Sequence, residues 1–202
     1  CEFCDIVQLF GHRSRCKTPE QFTREMDAAF ATGFRGALFV VDDNFIGNRR
    51  KVKALLRAVI RWQEAHGYPF SLSTEASIDL AEDPELLELM VRAGFKMVFI
   101  GIESPVEGSL EAAGKRQNLR RDIATSIRMI QQAGIEVTGG FIIGFDSDPP
   151  EIFDLQIDFI QELAIPTAMV GLLMALPNTK LYERLDREGR ILSQANGNNT
   201  HA

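Results

Sequence analysis

Two cysteines three positions apart, Cys1 and Cys4, open the sequence with Glu2 and Phe3 between them and Asp5 behind. Both thiolates of a Cys-x-x-Cys stretch point into one small volume when the loop curls, which suits a shared metal or cluster. The pair alone is equally compatible with two reduced, buried thiols. A second set of residues with chemical potential follows apolar runs further along: Asp42, Asp43, Glu75, Glu103, Asp146 and Asp148. Taken singly, each acid reads as a solvated loop residue or a helix cap, and Asp148, ahead of Pro149-Pro150, is expected to cap a helix. Taken together, they gain meaning only if the fold brings them to one rim.

The elements that would do so are legible. Thr18-Pro19-Glu20-Gln21 predicts a helix start with a capping box and proline in the first turn. That helix presents Phe22, Met26 and Phe30 on one face and stops near Gly33. Gly36 to Val41 is a continuous apolar run, expected as a strand buried on both faces. The plan then repeats: a helix to Gly67 and a strand Phe70–Ser73, a helix to Gly94 and a strand Met97–Ile100. A helix to Gly134 and a strand 136–143 follow, then a helix 150–163 and a strand 168–174. The four terminal glycines recur at roughly 30–40 residues, the length of a βα unit. Strict alternation predicts a parallel sheet, whose ligands sit beyond the carboxyl ends of the strands. Every acid named above lies at such an end, which predicts a shared site.

Composition is that of an ordinary globular chain: 202 residues, 45% hydrophobic, 25% charged, net charge −6. Basic residues occur only as short pairs such as Arg49-Arg50 and Arg120-Arg121, so a nucleic-acid stripe is excluded. No apolar run approaches the ~20 residues of a membrane span. Three cysteines, two of them crowded, argue against a disulfide framework and for a reducing, cytoplasmic setting. Cys16 lies apart from the pair and is expected as a plain surface thiol. His12, His66 and His201 lack metal-ligand spacing, and the six methionines, Met129 and Met169 included, are expected in the core.

Cys1-x-x-Cys4, a strand ending Asp42-Asp43-Asn44-Phe45, a strand ending Gly101-Ile102-Glu103-Ser104, the segment Gly140-Phe141-Ile142-Ile143-Gly144 and the tail Pro177-Asn178-Thr179-Lys180-Leu181-Tyr182 together resemble the radical S-adenosylmethionine (SAM) superfamily. The resemblance is to its cobalamin-dependent branch, including enzymes like the hopanoid C-2 methylases, and covers nearly the whole chain. It implies an α/β fold, a partial TIM-type (βα)6 barrel with strands two to six present. It also implies a 4Fe–4S cluster held by a Cys-x-x-x-Cys-x-x-Cys loop, of which Cys1 and Cys4 would be the last two ligands. The first would lie four residues before Cys1, outside this sequence. Residues 1–192 are then the core barrel, truncated before Cys1, and 193–202 the start of a linker to a further C-terminal region.

The same resemblance assigns the remaining site residues. Asp42, Asp43 and Asn44 match the position that contacts the methionine amino group, which favours carboxylate or amide oxygens. Glu75, Glu103 and Ser104 are candidates for the ribose hydroxyls or the methionine end. Gly140, Ile142 and Gly144 would pass close to adenine, and Phe3 would lie against it. The family's following glutamate is missing at its expected spacing, with Asp146 and Asp148 nearby. The implied cofactors are the cluster, SAM and, through an upstream domain, cobalamin. The implied reaction is reductive cleavage of SAM to a 5′-deoxyadenosyl radical in the service of methyl transfer. The implied partners are a small-molecule or lipid-like substrate and a reductant such as flavodoxin or ferredoxin. Methylthiolation or oxidation is the alternative within the enzyme class, and a barrel scaffold without a cluster the alternative outside it. An isolated piece with an open first edge at Leu38 to Val41 is expected to be inactive and marginally soluble.

Overall fold

The computed structural model describes residues 1–192 apart from His12, Ser14, Arg120 and Arg121. The expected linker at 193–202, with His201, lies outside the described residues, as do His12 and the Arg120-Arg121 pair. Among the described residues five strands form one parallel sheet in the order β1-β2-β3-β4-β5. They are β1 (Gly36–Val40), β2 (Phe70–Glu75), β3 (Phe95–Glu103), β4 (Glu136–Ile143) and β5 (Thr167–Leu172). The helices, in chain order, are α1 (Ile6–Phe10), α2 (Pro19–Ala31), α3 (Arg49–His66), α4 (Pro84–Arg92) and α5 (Glu107–Ala112). After them come α6 (Arg116–Leu119), α7 (Ile123–Gln132), α8 (Ile152–Glu162) and α9 (Lys180–Arg187). Sequential order with helical crossovers curls the sheet into an open half-barrel.

Local chemistry fixes the crossovers. Thr18 and Gln21 form the expected capping box, and Asn48, Asp83 and Asp122 cap α3, α4 and α7 through side-chain oxygens. The main helices end where the chain must turn left-handed: Gly67 has φ 71° and Gly94 φ 94°. At Gly94 a Cβ would stand 2.7 Å from Gln63 Nε2, whose amide donates to the Phe70 and Ala93 carbonyls, so no side chain fits there.

The core lies between the helices and one face of the sheet. Leu72, Val98, Ile100, Ile102, Val137 and Phe141 meet Leu56, Val59, Ile60, Leu86, Met90 and Ile127 there. The other face of β1 is open among the described residues, which corrects the reading of β1 as buried on both faces. On β1 burial alternates, and Phe39 is 47% and Val41 88% exposed. Met169 on the β5 edge is likewise 62% exposed and Met129 41%, so neither belongs to the core. Alternation predicts which residues share a face, but not whether another element covers that face. Among the described residues, no helix is long and apolar enough to cross a membrane.

Candidate functional site

The Cys1–Cys4 loop is carried to the rim at the carboxyl ends of the strands by its own backbone. Glu2 N–H donates to the Ala113 carbonyl at the end of α5 (3.0 Å), and its carbonyl accepts from Leu181 N–H in the first turn of α9 (2.9 Å). Phe3 packs on Phe145 of the β4–α8 loop, with ring centroids 6.1 Å apart. The cysteines on either side of this anchored pair are both exposed, with free thiols, and so is Cys16. Among the described residues no three His, Cys, Asp or Glu side chains converge on a metal-sized volume. Two exposed thiols on one short loop are soft donors of the kind that iron–sulfur clusters take.

The rim acids, alike in the sequence, are sorted by the structure into two kinds. Glu75 ends β2 beside Asp42 and Asp43, which follow β1. Its carboxyl is pushed above the usual carboxylate range, first by burial and then by the negative charges of Asp43 and Asp42. Asp42 Oδ1 accepts from Asn44 N–H (3.0 Å), while Asn44 Oδ1 accepts from the N–H and hydroxyl of Ser77 (3.2 and 3.3 Å), tying the ends of β1 and β2 together. This end of the rim is a cluster of like charges held close, an arrangement that favours a cation.

The other acids are already engaged. Glu103 is paired with Lys115, and the two side chains are only 11% and 9% exposed. Glu103 adopts the left-handed conformation (φ 69°), which turns its carboxylate back over β3. A Cβ on Gly101 would stand 2.6 Å from Glu103 Oε1, so glycine is required beneath that carboxylate. The Asn118 amide donates to the Gly101 and Ile102 carbonyls (3.3 and 3.0 Å), and its buried Oδ1 has no partner among the described residues. Ser104 is fully buried and its hydroxyl accepts from Val106 N–H (3.2 Å) in the turn that leaves β3. Asp146 is held near a pKa of about 2 by Arg190 and then Arg184. Asp148 does not cap α8, whose N-cap is Glu151. It accepts from Gly144 and Phe145 N–H (2.8 and 3.0 Å) and from the Ser109 hydroxyl (2.6 Å), closing the turn after β4.

Gly140 faces the open side of the sheet, in register with Gly101 and Met169. A Cβ there would stand 2.6 Å from the Phe99 ring. Ile142 lends its carbonyl to Gln156 Nε2 (2.9 Å), and Gly144 takes φ 105°. The space over Gly101 is thus taken by the Glu103 carboxylate and that over Gly140 by the Phe99 ring. Sequence reasoning missed Lys115 and Arg184. Neither carried a local signal: Lys115 is followed by Arg116-Gln117-Asn118 and reads as part of a solvated polar turn.

These features coincide with a known family. A model described as the radical SAM superfamily matches residues 1–160, and the chain belongs to that superfamily. An uncharacterized methyltransferase of Synechocystis is 50% identical over 198 residues, 98% of this chain and 37% of that protein. The hopanoid C-2 methylase of Rhodopseudomonas palustris is 44% identical over 196 residues, 97% of this chain and 37% of that protein. The chain thus spans just over a third of the curated relatives it matches. Among solved structures, the radical SAM methyltransferase TsrM of Kitasatospora setae, with cobalamin and a 4Fe–4S cluster bound, shares the fold. It superposes with a TM-score of 0.71 at 19% identity, covering 93% of this chain and 36% of that one.

Proposed function

We propose that this chain, within residues 1–192, is the catalytic core of a radical SAM methyltransferase and that a cobalamin domain elsewhere in the protein relays the methyl group. The observation that carries the reading is the pair of exposed thiols on a loop anchored to the barrel rim, in a chain of this superfamily. A third thiolate would come from residues before Cys1. When bound, the cluster supplies the electron for reductive cleavage of SAM.

The protein's own residues would bind and orient. Asp42, Asp43 and Glu75 form the acidic end of the rim and suit the methionine ammonium, which would also relieve their mutual repulsion. Asn44 holds that end in shape through Ser77. Glu103, fixed by Lys115 over Gly101, offers a carboxylate edge toward ribose hydroxyls. Gly144 would let the backbone approach a flat ring, with Ile142 and Phe3 as apolar walls, while Gly140 makes room for the Phe99 ring beside it. Ser104 serves this site by shaping the turn beneath Glu103. The names of the two relatives described above favour methyl transfer over methylthiolation or oxidation. A reducing compartment and a small electron-transfer protein such as a flavodoxin or ferredoxin go with this chemistry.

The test is anaerobic reconstitution of the natural protein that carries this sequence, with iron, sulfide, SAM and a strong reductant. 5′-Deoxyadenosine that disappears in Cys4→Ala is expected. A folded protein that takes up no cluster and leaves SAM intact would favour the scaffold alternative.

A further inference from the structure

Glu2 stands between the two cysteines, and every polar group it has is bound. Its N–H and C=O are taken by Ala113 and Leu181, and its carboxylate lies in the fork of Arg184: Nη2 to Oε1 at 2.8 Å and Nε to Oε2 at 3.4 Å. The same guanidinium reaches Asp146 Oδ2 through Nη1 at 3.2 Å, and Asp146 is in turn held by Arg190 at 2.5 Å. Arg184 sits on α9, which Thr179 caps and whose Leu181 is buried. One side chain thus joins three separate segments of the rim: the cysteine loop, the β4–α8 loop and the helix that follows β5. Two-point contact gives such a pair an orientation that a single contact would not.

We propose that Arg184 is a positioning residue for the cluster loop, acting through Glu2. This rests on the reading that Cys1 and Cys4 ligate a cluster. The two flanking residues are exposed and the loop has no other side-chain anchor besides Phe3 among the described residues. Without the guanidinium, Glu2 becomes an unneutralised carboxylate wedged between two thiolates, and the loop loses its fixed centre. Groups that orient metal ligands in this way typically hold a 10–100-fold effect on metal retention.

The experiment uses the natural protein, reconstituted anaerobically, with Arg184→Gln, Arg184→Lys, Glu2→Gln and the Arg184→Gln/Glu2→Gln pair. Read out are iron loss to a ferrous chelator, the EPR spectrum of the reduced cluster with and without SAM, and thermal melting of the iron-free forms. Arg184→Gln is expected to lose iron about tenfold faster and to alter the EPR line shape. Arg184→Lys should fall between it and the wild type. The double variant should lose iron no faster than the worse single variant, with melting of the iron-free forms nearly unchanged. Wild-type iron retention and spectrum in Arg184→Gln would overturn the proposal, as would additive effects of the two substitutions. A wild-type protein that takes up no cluster would instead overturn the functional reading and, with it, this proposal.

Discussion

Replacing Lys115 by methionine keeps the volume of the stem and removes the cation that, among the described residues, neutralises Glu103. Both side chains are nearly buried, at 9% and 11% exposure, and the neighbouring Asn118 amide is committed to the Gly101 and Ile102 carbonyls. The carboxylate is therefore left without a positive partner. Breaking a buried pair from one side costs about 3–5 kcal/mol. A loss of about 3–4 kcal/mol at pH 7 follows, or about 10 °C in melting temperature for a domain of this size. Adding Glu103→Gln should recover most of the loss at neutral pH. Urea titrations at pH 7 read both effects directly. A deficit under about 1 kcal/mol would refute the reasoning, because it would mean that Glu103 reaches water.

The acidic end of the rim makes the opposite prediction. Burial, Asp43 and Asp42 raise the Glu75 carboxyl, so its ionised form opposes folding once pH exceeds that raised value, and the cost disappears below the unfolded value. Glu75→Gln should therefore raise the melting temperature at pH 7–8, give no gain near pH 4, and weaken SAM binding measured by calorimetry; a neutral-pH loss of stability would contradict this. Gly140→Ala forces a methyl group against the Phe99 ring, at 2.6 Å before relaxation, and is expected to cost about 1–3 kcal/mol. Phe99→Leu should relieve that cost in the double variant, and additivity of the two losses would count against the overlap.

Much of the scaffold was readable because its punctuation is local. Thr18, Asn48, Asp83 and Asp122 cap helices through side chains close by in sequence, and Gly33, Gly67, Gly94 and Gly134 take the left-handed turn that ends them. The short helices α5, α6 and α9 carry too few turns for a hydrophobic period to show. The candidate site was legible as a set of acids at strand ends, but not as two kinds of acid. What separates Glu75 from Glu103 and Asp146 is the identity of the partner, and Lys115, Arg184 and Arg190 lie 12, 38 and 44 residues from the acids they neutralise. Such pairings are set by tertiary structure. Asp148 misled for a related reason: it has the position of a cap ahead of two prolines, yet Gly144 and Phe145 amides, brought back by the turn, compete for it more closely than the helix does.

The central claim is that Cys1 and Cys4 ligate an iron–sulfur cluster. It is tested most directly by counting iron and acid-labile sulfide in the anaerobically reconstituted natural protein beside Cys1→Ala, Cys4→Ala and Cys16→Ala. The account predicts about four irons and four sulfides per chain in the wild type, the same in Cys16→Ala, and loss in the other two. A cluster that survives removal of Cys1 or Cys4, or is lost with Cys16, would contradict it.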